Sequence, residues 1–219
     1  MKLIKVQIYI LAKDRPEYLR ESLDSVISQD KKNIELEIIV SDNSTSDDVQ
    51  NIMNEYSDFK ELKYIRRIPP MSLWNHTKKI TSEINSEYVI LFHDDDILLP
   101  NYLQSVTPVI SQQPDLVAVG CNALIVKNKK DNVIRKSFKT NEIQEFASQK
   151  AFLESYIDLT GIAPFSSYIY RTQYLVEEEK ASSERSGKYQ DVMLLTNLIK
   201  HGKIIWLPQN LMYLRMHNH

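Results

Sequence analysis

The chain has 219 residues, 42% hydrophobic and 26% charged, with a formal net charge of -2. This length suits one domain, or two closely packed halves, able to fold alone, and the mixed, near-neutral charge excludes the basic footprint of a nucleic-acid binder. The single cysteine, Cys121, excludes an internal disulfide and fits a reducing compartment; the polar N-terminus lacks a secretory h-region and no stretch reaches the roughly 18 apolar residues of a bilayer span, so a cytoplasmic protein is expected, with peripheral contact at the inner face of a membrane left open.

In chain order, Leu3 to Leu11 is apolar and β-branched and reads as a buried strand. Pro16 stands where a first helical turn starts, and Leu19, Leu23, Val26 and Ile27 follow at helical spacing. Ile34 to Val40 reads as a second strand, Ser41 to Ser46 as a polar turn of capping residues, and Val49, Ile52, Met53 and Tyr56 as a helical stripe. Lys63 to Ile68 is a short strand ended by Pro69-Pro70, and Leu73, Thr77, Ile80 and Ile84 share a helical face. Tyr88 to Phe92 is a strand that runs into His93-Asp94-Asp95-Asp96, and a helix is expected over Leu99 to Ile110. Further on, Leu116 to Val126 reads as a strand with a hairpin turn at Asn128 to Asn132, Gln149 to Tyr156 as a helix and Pro164 to Tyr170 as a strand. The run from Glu177 to Gly187 reads as a polar loop; Val192, Leu195, Leu198 and Ile199 make a helical stripe, and Ile204 to Leu207 a strand.

The βαβα alternation predicts an α/β fold with a mainly parallel, Rossmann-like sheet flanked by helices, as one compact domain. Ligands of such sheets bind outside the carboxyl ends of the strands, where Ala12, Asp42 and Asp94 fall. The four glycines, at 120, 161, 187 and 202, leave the first half without any. That excludes both a Walker loop and a dinucleotide fingerprint there, so phosphates need another partner.

Three adjacent aspartates after a buried strand repel one another, and burying them without a cation is costly. Mg²⁺ and Mn²⁺ take oxygen ligands and neutralise phosphate charge, so Asp94, Asp95 and Asp96 are candidate ligands. The alternative is a helix-start charge, for which one aspartate suffices. In an extended chain Asp94 and Asp96 would point one way and Asp95 the other, and spacing leaves open which of them meets the metal.

The runs Ile10 to Leu19, Ile38 to Ser44 and Phe92 to Pro100, in this order and spacing, resemble family 2 glycosyltransferases. The resemblance implies the GT-A fold and inverting transfer from a nucleotide-sugar, a UDP-sugar first, to a glycan or lipid-linked acceptor, with bacterial surface-polysaccharide synthesis as a setting. It implies a nucleotide and metal half over about 1–115 and an acceptor half over about 116–219. It places Ala12, Arg15, Asp42, Asn75 and Asp94 against the nucleotide, with Asp42 on the base. Asp94 to Asp96 match its metal and ribose motif, and His217 its late metal or diphosphate motif, Tyr213 to His217. Asp191, in Tyr189 to Leu195, matches its catalytic base, and Ile162 to Ser167 a segment bordering the acceptor cleft. Lys13, Trp74 and His93 depart from the family's usual residues. A nucleotidyltransferase and a non-catalytic nucleotide- or sugar-binding module are the rival readings.

Overall fold

The computed structural model describes residues 3–127, 132–158, 161–181 and 189–216. The first strand, β1 (Ile4–Ala12), is the apolar run at the N-terminus. Its Ile4, Val6, Ile8 and Ile10 pack against one core, while Tyr9 and Leu11 pack against another on the opposite face, as strand alternation requires. Helix α1 (Pro16–Ile27) opens on its proline and buries Leu19, Leu23 and Val26. Each of these side chains is wholly removed from water, worth about 1.5–3 kcal/mol relative to exposure.

Strands β2 (Ile34–Asp42), β3 (Leu62–Arg66) and β4 (Tyr88–His93) complete a parallel set, with α2 (Asp48–Asn54) and α3 (Leu73–Thr81) between them. The registers bring the strand ends level: Ala12 lies opposite Asp42, Asp42 opposite Arg66, and Leu11 opposite His93. Ser72 caps α3 by accepting from the Asn75 N–H at 3.3 Å. From below, Ser41 Oγ accepts from Arg67 Nε at 2.9 Å and lies 2.8 Å from His76 Nε2, while Arg67 pairs with Glu83. A serine hydroxyl that accepts from arginine keeps its proton and a second lone pair, so the direction of its bond with His76 follows the imidazole tautomer.

Beyond β4 come β5 (Ile97–Leu98), α4 (Tyr102–Gln112), β6 (Leu116–Lys127), β7 (Val133–Lys136), β8 (Gln144–Phe146), α5 (Gln149–Ile157), β9 (Ile169–Arg171), α6 (Thr172–Ala181), α7 (Gln190–Leu198) and β10 (Lys203–Met216). Among the described residues the sheet path is β3-β2-β1-β4-β9-β6-β10-β5. Strand order reverses at β1, which sets the ligand crevice at its carboxyl end. β9 enters antiparallel between β4 and β6, which themselves run the same way, so the long strands share one direction while β9 and the short strands β5, β7 and β8 oppose them. One core, under α1 and α4, includes Leu103 and Val106; the other, on the opposite face, includes Ile80, Phe152, Leu175 and Leu195.

Four segments differ from their sequence patterns. The helix expected from Leu99 begins at Tyr102, because Ile97 and Leu98 pair with Tyr213 and Met212 and the Leu99 N–H bonds Leu211. Pro164 to Tyr170 starts with a short 3-10 turn at Phe165–Ser167, closed by Ser167 on the Pro164 carbonyl, before β9. The acidic run at Glu177 is helical through Ala181, the rest of the expected loop, 182–187, lying outside the described residues: α6 buries Leu175 under it, and Glu178 Oε1 hydrogen-bonds His201 Nε2 at 2.8 Å. The strand expected to end at Leu207 continues to Met216 through irregularities beside β6. Residues 128–131 of the expected hairpin turn lie outside the described residues, but β6 and β7 do pair antiparallel around them. Among the described residues no helix is long and apolar enough to cross a membrane.

Candidate active site

The chain leaves β1 through Asp14, whose positive φ of 54° suits the short polar side chains that tolerate the left-handed region. The Asp14 N–H donates to Ser44 Oγ at 2.8 Å, and its carboxylate accepts from the Thr45 N–H at 2.7 Å. The loops after β1 and β2 are therefore tied together. This turn aims the Lys13 N–H at Asp94 Oδ2, 2.7 Å away, and brings the Arg15 guanidinium across Asp94 and Asp95.

All three aspartates are buried. They do not alternate as an extended chain would, because the strand ends at His93 and the backbone turns. Asp94 and Asp95 share Arg15, whereas Asp96 turns inward to accept from the Ser166 hydroxyl and, at 3.1 Å, from the Arg215 N–H. Burial pushes the Asp94 carboxyl up to about 7, opposed by Arg15 and the Lys13 N–H. Burial also raises Asp96, against the pull of the neighbouring His93.

Ligand atoms of His93, Asp95 and Asp96 lie within 4.8 Å of one another. Two carboxylates and an imidazole fit a divalent cation; the oxygens suit Mg²⁺ and Mn²⁺, and the imidazole tilts the set toward Mn²⁺. Of the expected metal ligands, the structure gathers Asp95 and Asp96. It turns Asp94 toward the loop after β1 and adds His93. His217 lies outside the described residues.

Beside this cluster lies a cavity of about 220 Å³. Leu11, Trp74 and Phe165 give it apolar walls, and His93, Glu179 and Asp191 give it polar ones. The His93 ring stacks on Phe165, with centroids 5.8 Å apart. Asp191 stands in the first turn of α7, where one oxygen accepts the Val192 N–H at 2.8 Å. Glu179 comes from the last turns of α6. Aromatic walls with a few convergent polar groups are what a small polar ligand needs to be oriented.

Ala12 is fully buried at the end of β1. Asp42 is fully buried too and already well bonded: it accepts from the Ser44 N–H at 2.9 Å, Tyr64 Oη at 2.6 Å and Arg66 Nη1 at 2.7 Å. A base would reach this carboxylate only after Tyr64 or Arg66 moved. Burial, together with this bond to Asp42, pushes the Tyr64 phenol up to about 12. Asn75 is exposed on α3; its neighbour Trp74 is the residue that lines the cavity. The Arg215 side chain does not approach the cluster. Its guanidinium lies over the Tyr18 ring at 4.4 Å and 3.2 Å from Glu21, so this motif serves Asp96 through its backbone.

Sequence reasoning missed His93 as a candidate ligand and Glu179 as a cavity residue. For His93 the signal was its place directly before the triplet. Glu179 gave none, being one of three consecutive glutamates in a run that reads as loop.

The sequence pattern of Glycosyl transferase family 2 matches residues 7–172, a span from β1 to the start of α6. The chain belongs to glycosyl transferase family 2. Its relatives in sequence include the abequosyltransferase RfbV of Salmonella typhimurium, 22% identical over 174 residues, which are 76% of this chain and 51% of that protein. The family member described here thus spans about half the length of that relative. Solved structures with the same fold include S. aureus TarS 1-349 in complex with UDP-GlcNAc, at a TM-score of 0.73 and 18% identity over 99% of this chain and 60% of that one. GalNAc-T7 with UDP, GalNAc and Mn²⁺ aligns at a TM-score of 0.74 and 12% identity, covering 98% and 44%. In this family member the GT-A sheet carries the aspartate cluster at its carboxyl rim.

Proposed function

We propose that this glycosyltransferase moves a sugar, with inversion, from a UDP-sugar to an acceptor hydroxyl. The observation that carries the reading is one cavity shared by Asp191 and His93, with the buried aspartates directly behind it. Residues 1–115 form the donor half and residues 116–219 the acceptor half. The nucleotide lies along the rim at Ala12, Arg15, Asp42 and Asp94, and Asn75 stands at its solvent side. The UDP and Mn²⁺ in the named complexes of similar folds support this donor and metal.

Asp191 accepts the acceptor hydroxyl's proton as that oxygen bonds the anomeric carbon. The bond from that carbon to the diphosphate oxygen breaks on the opposite face, and UDP leaves with the electron pair. A divalent ion held by His93, Asp95 and Asp96 would supply neutralisation of the departing diphosphate. Trp74 and Phe165 exclude water and hold the sugar in place. A lipid-linked glycan acceptor, surface-polysaccharide synthesis and action at the cytoplasmic face of a membrane complete the reading.

Calorimetric titration of UDP with and without Mn²⁺ tests it: binding should need the metal and vanish in a triple alanine variant at 94, 95 and 96. Asp191→Asn should keep that binding while transfer from a UDP-sugar falls by about 10²-fold or more. Transfer at the wild-type rate would remove Asp191 from the role, and absence of UDP binding would overturn the donor.

A further inference from the structure

The aspartate cluster already holds a cation, and it belongs to the protein. Arg15 Nη2 lies 2.7 Å from Asp94 Oδ1, and its Nη1 bonds Asp95 Oδ2. Nη1 hydrogen-bonds Asp95 while the Nη2 approach to Asp94 is a charge contact, so one planar guanidinium spans two carboxylates, which the compact ammonium of a lysine cannot reproduce. The partners differ in freedom. The Arg15 side chain is 36% exposed, while those of Asp94 and Asp95 are 0% and 9% exposed. Asp94 is also held by the Lys13 N–H, and Asp96 by Ser166 and the Arg215 N–H. The carboxylates are fixed and the guanidinium is the member that can swing into water.

Asp95 belongs both to this ion pair and to the His93, Asp95 and Asp96 group. A divalent ion entering that group must therefore share or take the Asp95 carboxylate from Arg15. An ion arriving alone leaves a guanidinium beside a second positive charge, and like charges at this range repel strongly in a buried setting. A diphosphate arriving with the ion changes the balance, because phosphate oxygens accept the same bidentate fork that carboxylate oxygens do.

Resting on the donor and metal reading above, we propose that Arg15 is the resident counter-ion of the cluster, a positioning residue that makes divalent-cation binding conditional on a nucleoside diphosphate. Arg15 holds Asp94 and Asp95 in the empty protein, moves onto the diphosphate when the donor arrives, and frees Asp95 for the ion. Cation and donor then bind as a coupled pair, each tightening the other by the same factor.

The test is Mn²⁺ binding, followed by loss of the free-ion electron paramagnetic resonance signal, for wild type, Arg15→Gln and Arg15→Lys, each with and without UDP. In wild type, UDP should tighten Mn²⁺ on the order of tenfold or more, an ordinary coupling. Arg15→Gln should bind Mn²⁺ alone on the order of tenfold more tightly than wild type and gain less from UDP. Arg15→Lys, which keeps the charge without the fork, should shift the same way by less and carries the test if the glutamine variant misfolds. Equal Mn²⁺ affinity in wild type and both variants without UDP overturns the role of Arg15 alone. Mn²⁺ binding to none of the proteins, even with UDP, overturns the donor and metal reading beneath it.

Discussion

His76 shows how one buried side chain sets a pH limit. Its ring is enclosed beside Ser41 and Arg67, and burial, with Arg67 close by, lowers its pKa to about 4 from 6.5. Between those values the unfolded chain binds a proton that the folded chain refuses. Stability is therefore intact above pH 6.5 and falls as pH drops toward 4, by up to about 3 kcal/mol. Asp94 acts in the opposite sense: its carboxyl, raised to about 7, takes up a proton in the folded state first, so acidification relieves it. The two are separated by comparing urea midpoints at pH 7.5 and 5 for wild type and His76→Gln; the variant should lose less stability on acidification, and an equal loss would take His76 out of the account. Residues of this kind were only partly legible. Asp95 and Asp96 announce themselves as clustered charge, but Asp191 is physically an ordinary helix-start acid and reads as a base only by resemblance. That Asp42 is closed off by Tyr64 and Arg66 depends on two side chains more than 20 positions away in sequence, a distance no local pattern spans.

At the scale of elements, helix α3 matters most to the cavity, since it carries Trp74 and Thr77 into the wall. Its N-terminus depends on the Ser72 side chain, with no acidic residue in the first turn to assist. Ser72→Ala should destabilise the fold by about 1 kcal/mol, the usual worth of such a cap, read as a lower urea midpoint at unchanged slope. An unchanged midpoint would show that Trp74 and Ile80 packing alone sets the helix start. Elements with their own periodicity, such as α1, β1 and β4, were legible because local pattern and burial agree. The two-residue β5 was not, since only its partner β10 makes it a strand. α6 was hidden for the opposite reason: its glutamates look solvated, and the hydrogen bond that helps bury Glu178 comes from His201.

For the whole molecule, the alternation of strands and helices made the fold class legible, while the antiparallel entry of β9 rests on long-range pairing that composition does not encode. The sheet divides two cores, and the cavity opens where the ends of β1 and β4 meet α3, α6 and α7. Ligands bound there should brace these elements against one another. At roughly a hundred times the dissociation constant, a ligand specific to the folded state adds about 2.7 kcal/mol, or about 5–10 °C in a chain of this size. Mn²⁺ and UDP together should raise the thermal midpoint by that amount in differential scanning fluorimetry, and by more than either alone; no shift would count against a shared site.

Two bonds at the cluster come from main-chain N–H groups, that of Lys13 on Asp94 and one on Asp96. Asp96 is held from β10 by the main-chain N–H of residue 215, while the arginine itself lies on Tyr18. Any amino acid except proline offers that N–H. The anchor is thus blind to the identity of its own residue, and the strand that supplies it can diversify in sequence without loosening its hold on Asp96.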